Sequence, residues 1–293
     1  MREITNRLRT LNLQTSTEDD IIQIFRNAPR AGAIITEYHP AYGPTGVPNL
    51  FVRASNYNPT KEIISNTDRL RYPPLEFNKE YQRASTPSQP MFYAVRYKSL
   101  SEEDSMSAIK TCLLETIHNY DELIGQRVAI SLRYNIQSIK LFSIFNWIEF
   151  QSRNPEHKDI VDSFNSSISS YSPELIESTK EILNYLSERF HIPVGANSYD
   201  YKPSSIITQY LLNKLSSEIE IDGVVFPSTK VLGKEVNVAL IPNKSDEKLY
   251  VAKVLDCEYK KNRIVEIQKR ADIKPNSKEI NFIENVNIEI DLN

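Results

Sequence analysis

Apolar residues along the chain fall into two rhythms, a 3.6-residue period that predicts helices and short alternating or solid apolar runs that predict strands. Ile21, Ile22, Ile24 and Phe25 follow Ser16, Thr17 and three acids, Glu18 to Asp20, an order that predicts a helix with a capped, acid-rich first turn. The stretch 31–49, with Pro40, Gly43, Pro44, Gly46 and Pro48, reads as a loop. Leu50-Phe51-Val52 is then a short strand that delivers Arg53 to its end, and Met91 to Ala94 is a second strand. From about Ser105 to Asn119 the pattern turns helical. Ile109, Cys112, Leu113, Thr116, Ile117 and Tyr120 share one face, and Glu115 falls at its edge, roughly 60° from Cys112 at 100° per residue.

Further along, residues 127–132 and 139–145 read as strands, and Trp147 as a core residue. The serine-rich interval 154–172 leads to Ser172-Pro173-Glu174, a helix start for Leu175, Ile176, Ile182, Leu183 and Leu186. Pro203 opens another helix with Ile206, Ile207, Tyr210, Leu211 and Leu215 on one stripe. Strands follow at 221–226 and 236–241, separated by Pro227 and Ser228, then at 249–255, 264–267 and within 280–293. A proline cannot donate to a ladder, so the Ser228 hydroxyl is expected where regular pairing stops; a turn serine bonding its own backbone gives the same pattern.

Composition narrows the functional classes. The 293 residues, 40% of them hydrophobic, suffice for one large domain or one domain with insertions. With 35 basic and 38 acidic residues the net charge is −3, so no bulk field favours nucleic acid or an anionic membrane. No apolar run reaches the roughly 20 residues that span a bilayer, and the start has no apolar leader, which leads us to expect a soluble cytoplasmic protein. Cys112 and Cys257 are expected as reduced thiols, and the four histidines form no HExxH or Cys/His cluster, so no metal is expected. The seven glycines build neither GxGxxG nor GxxxxGK. A bound nucleotide would have to be held by side chains.

Three separated stretches, taken together, resemble the RES family, named for its Arg, Glu and Ser. Thr208-Gln209 on a helix, then Asp222 to Ser228 reading DGVVFPS, then Asn237 within an apolar strand are similar to that family's C-terminal signature. Upstream, the strand ending in Arg53, the segment Gln82-Arg83-Ala84-Ser85, the run Met91-Phe92-Tyr93-Ala94 and the helix carrying Glu115 stand in the order of the remaining motifs. Ala54 stands where some members have Tyr, Gln82 where the family has Gly, and Ser85 where it has Asn. The resemblance covers about 50–241, with insertions.

It implies an α+β, ADP-ribosyltransferase-like core of mixed and antiparallel sheets with flanking helices. Residues 1–49 would be an accessory segment, 50–242 the catalytic domain with an inserted helical segment or lid near 150–200, and 243–293 a strand-rich extension. It further implies NAD+ as substrate, with inorganic phosphate as co-substrate if cleavage is a phosphorolysis. Arg53, Glu115 and Ser228 would be catalytic, and Arg53, Arg83, Tyr93 and Ser228 would hold the dinucleotide. The expected setting is a toxin or defence effector with a helix-turn-helix antitoxin as partner. Transfer of ADP-ribose to a protein, or a catalytically silent nucleotide-binding module, are the alternatives, and a homo-oligomer stays open.

Overall fold

Ten strands join into one sheet, and its middle ladder is left unfinished. In chain order they are β1 (Ile35–Tyr38), β2 (Asn49–Tyr57), β3 (Phe92–Lys98), β4 (Arg127–Asn135), β5 (Ile139–Ser143), β6 (Gly223–Pro227), β7 (Val236–Leu240), β8 (Leu249–Tyr259), β9 (Ile264–Asp272) and β10 (Ile283–Asp291). Their order is β1-β5-β6-β7-β3-β2-β4-β8-β9-β10, antiparallel throughout except between β5 and β6. The helices are α1 (Arg2–Arg9), α2 (Glu18–Arg26), α3 (Glu102–Thr116), α4 (Lys158–Ile168), α5 (Pro173–Phe190), α6 (Lys202–Leu215) and the short α7 (Pro242–Lys248). This computed structural model describes all residues except 28–31, 41–48, 99–101, 118, 147–157, 194–196, 216–217, 232–234 and 276.

Helix ends follow their capping residues. The Thr17 side chain accepts from the Asp20 amide while the Asp20 side chain accepts from the Thr17 amide, a reciprocal box that starts α2. Ser172 accepts from Leu175 N at the start of α5, with Pro173 in the first turn. Alternation along β2 divides the core: Leu50, Val52 and Ala54 pack with Ile109, Cys112 and Leu113 of α3, whereas Phe51 packs with Phe92, Val225 and Val238. A third cluster joins α1, α2, α4, α5 and α6 to Phe142, Val224 and Phe226 of the sheet.

Several expectations change. The interval expected as a loop contains β1, whose Ile35-Thr36-Glu37-Tyr38 alternates partly buried, buried, exposed, buried and pairs with β5; its flanking prolines and glycines obscured a strand of only four residues. The turn residues at 43–48 lie outside the described residues, as does Trp147. Arg53 is not at a strand end, since β2 runs on to Tyr57 against β4. Nor do α4 and α5, within the stretch expected as an inserted segment or lid, lie over the core as a lid: Phe164 of α4 and Ile182, Leu183, Tyr185, Leu186 and Phe190 of α5 are buried in it. The serine-rich start of that stretch hid the apolar stripe of α4.

The Asp-Gly pair at the start of β6 has two packing reasons. A Cβ at Gly223 would stand 2.1 Å from the Ala239 carbonyl oxygen, so only glycine lets β6 approach β7 there. Asp222 is 0% exposed, and its Oδ2 accepts from the Lys140 amide and from Lys248 Nζ, each at 2.8 Å. Removing one partner of a buried ion pair strands the other charge. Lys248→Ala is therefore expected to lower stability by about 3–5 kcal/mol in urea denaturation, whereas Lys244→Ala, which breaks a pair with the exposed Glu220, changes it by less than about 1 kcal/mol.

Candidate functional site

β2 and β3 pair only from Asn49–Lys98 to Val52–Val95. Beyond that point β2 stays with β4 to Tyr57 and β3 stays with β7 to Phe92, so the sheet forks. Unmade ladder bonds in a buried place need substitutes. The Cys112 thiol donates to Val52 O at 3.3 Å, and Arg53 Nη1 donates to Tyr93 O at 2.9 Å across the fork. Arg53 Nε donates to Arg71 O at 3.1 Å.

The fork opens into a cavity of about 500 Å³, within the range of small-molecule sites. Arg53, Arg83, Tyr93, Cys112 and Glu115 line it, together with Tyr81, Tyr201, Phe226 and Asn237. Four of the five residues singled out from the sequence thus share one cavity, and Ser228 reaches it through Glu115.

Glu115 is the centre of this group. Its Oε1 accepts from Ser228 Oγ at 2.6 Å and from Asn237 Nδ2 at 2.9 Å. Its Oε2 accepts no hydrogen bond among the described residues and stands 4.0 Å from Arg83 Nη1. One oxygen is anchored and the other is open. Asn237 was part of the motif but not of the expected site; a single amide side chain in an otherwise apolar strand was the available signal.

Arg83 is braced from behind. Its Nε donates to Phe190 O at 2.8 Å and its Nη2 to Ile192 O at 3.0 Å, so the last residue of α5 and the segment after it supply the carbonyls and leave Nη1 facing Glu115. The guanidinium also lies 5.7 Å from the centroid of the Tyr201 ring, a cation–π contact. Arg53 is held in the same style, 5.3 Å from the Phe92 ring, with Arg133 at 4.7 Å from that ring. Burial lowers Arg53 to about 10 and, aided by the charge of Arg53, Arg133 to about 9, and both stay cationic at neutral pH.

Tyr93 contributes a ring wall. Its hydroxyl accepts from Ala84 N at 2.8 Å and from Ser85 Oγ at 3.1 Å, and burial outweighs these bonds to raise its pKa. Ser85 Oγ in turn accepts from Met91 N at 3.0 Å, so this serine ties the Tyr93 hydroxyl to the turn. Gln82 has no positive φ, and its amide closes the turn onto Ser85 O at 3.0 Å, which a non-glycine residue accommodates. Gln209 holds this turn too, its Nε2 donating to Ala84 O at 2.7 Å.

Ser228 is not placed as a ligand contact. Its single proton goes to Glu115, and its oxygen accepts from Lys230 N at 3.2 Å, the turn bond that was one of the two readings of this serine. It orients the carboxylate. No protein-family model matches the chain, and no curated protein matches it.

Cys112 lines the cavity, yet burial raises its thiol to about 12. A raised thiol pKa leaves on the order of 10⁻⁴ of it as thiolate at pH 8. Iodoacetamide at pH 8 is therefore expected to leave Cys112 unmodified in the native protein and to alkylate it in urea, as read by intact mass and peptide mapping. Rapid native labelling would mean that the thiol is activated.

Proposed function

We propose that this chain is an NAD+-consuming enzyme with an ADP-ribosyltransferase-like core, one that cleaves the bond between nicotinamide and ribose. The observation that carries this reading is the Glu115 carboxylate, with one oxygen fixed by Ser228 and Asn237 and the other left open beside Arg83 in a cavity of about 500 Å³. Departure of nicotinamide takes the electron pair of the C1′–N bond onto the ring nitrogen, and positive charge develops on the ribose. A fixed carboxylate oxygen beside the sugar stabilises that charge and accepts a ribose hydroxyl proton in a hydrogen bond. Water or inorganic phosphate then bonds to C1′, giving ADP-ribose with release of a proton, or ADP-ribose 1″-phosphate.

Arg53 and Arg83 suit the pyrophosphate, because each guanidinium is pre-positioned by carbonyls and keeps N–H groups that make no protein hydrogen bond among the described residues. Tyr93 and Tyr201 offer ring faces to nicotinamide or adenine. In this scheme the Ser228 role is orientation of Glu115. A toxin or defence setting with a helix-turn-helix antitoxin belongs to the same proposal and rests on the RES resemblance alone.

The test is incubation of the purified chain with NAD+, with and without phosphate, and identification of the ribosyl product by mass spectrometry. Nicotinamide release is expected, and Glu115→Gln, which preserves shape and removes the charge, is expected to reduce it by about 10³-fold with an unchanged melting temperature. Arg53→Ala is the poorer probe, since it also removes the bond that spans the fork. NAD+ left intact at high protein concentration would overturn the proposal; label transferred from NAD+ to protein would replace it with ADP-ribosyltransfer.

A further inference from the structure

A second cavity, of about 540 Å³, lies on the other side of α3 and against the turn that holds Ser228. Lys110, Leu114 and Ile117 recur at helical spacing along one stripe, roughly opposite the stripe of Cys112, Glu115 and Thr116 that faces the first cavity. Lys230 and Val231 come from the turn after β6, Arg263 from the β8–β9 hairpin, and Leu292 and Asn293 follow β10.

The lining is amphipathic. Leu114, Ile117, Val231, Leu292 and the Tyr120 ring make an apolar floor, and three cations stand around it. Lys230 and Arg263 have no carboxylate partner within ion-pair distance among the described residues, whereas Lys110 is engaged by the last residue. Lys110 Nζ donates to Asn293 O at 2.7 Å, and Arg263 lies 5.6 Å from the Tyr120 ring centroid. Lys230 uses only its main-chain amide, toward Ser228. Asp291 is the nearby acid, its pKa lowered chiefly by the Asn293 amide and least by Lys110. The neighbouring Lys260, by contrast, is neutralised by Glu258 at 2.9 Å and Glu266 at 3.1 Å.

On a chain of net charge −3, two cations without a carboxylate partner among the described residues, Lys230 and Arg263, over an apolar floor fit an anion that carries an organic body. We propose that this cavity binds a phosphorylated small molecule of nucleotide type, with its phosphates against Lys230 and Arg263 and its flat ring against the apolar floor. The site is distinct from the first cavity and needs no catalysis to be detected.

ATP is the probe, titrated into the full chain by calorimetry at low salt. Binding is expected, weakened by added salt and reduced at least about tenfold in the Lys230→Glu/Arg263→Glu double variant. Both side chains are exposed, and circular dichroism checks that the fold is kept. Arg83→Ala, which alters only the first cavity, is expected to retain the binding. No heat up to about 5 mM ATP would overturn the proposal, and so would binding lost in Arg83→Ala but kept in the double variant, because ATP would then occupy the first cavity. Inorganic triphosphate binding as tightly as ATP would overturn the role of the apolar floor.

Discussion

The unfinished ladder between β2 and β3 is the constraint on which the site depends. A continuous sheet has no room for a cavity in its own plane, so a pocket there requires one pair of strands to part while their outer neighbours keep them in place. Parting exposes main-chain groups in a buried setting. Arg53 and Cys112 answer that need, the first by bridging to Tyr93 O and the second by donating to Val52 O. α3 crosses both strands and packs on Leu50, Val52 and Val95, which fixes the fork and brings Glu115 over it.

Charge is arranged around the same opening. Arg53 and Arg133 are desolvated and have no carboxylate partner among the described residues; carbonyl oxygens and the Phe92 ring stabilise them instead. Glu115 is the carboxylate nearest Arg83, but at 4.0 Å with one oxygen already engaged it compensates only part of the positive field. Two guanidiniums, Arg53 and Arg83, and two carboxylates, Glu115 and the exposed Glu80, line the cleft, so a ligand held there meets both signs of charge.

Much of this was legible in the sequence, and the failures have physical causes. The helix face of α3 with Glu115 at its edge, the start of α5 at Ser172 and the hairpin of β6 and β7 followed from local periodicity and capping. Placing Arg53, Arg83, Tyr93 and Glu115 around one cavity did not follow from periodicity; it came from the order of motifs, because contacts between residues this far apart leave no local trace. β1 and α4 were lost to neighbouring turn and serine residues, and both are held by tertiary packing rather than by propensity. The bracing of Arg83 by Phe190 O and Ile192 O was invisible, since carbonyls carry no sequence identity.

Gln82 and Ser85 build the turn that braces Tyr93 from one main-chain bond and one short side chain. Ser85 reaches both Tyr93 and Met91 N, two bonds through that side chain, because the turn at Gln82 closes on its carbonyl and brings it near. The reassignment of Ser228 works in the opposite direction, removing a donor from the cavity. Between Arg53, Arg83 and Glu115, Arg53 Nη2, Arg83 Nη1 and Glu115 Oε2 make no hydrogen bond among the described residues, two donors and one acceptor. An anionic oxygen would satisfy the guanidiniums and a donating hydroxyl the carboxylate, and on the proposed reading a pyrophosphate joined to ribose supplies both.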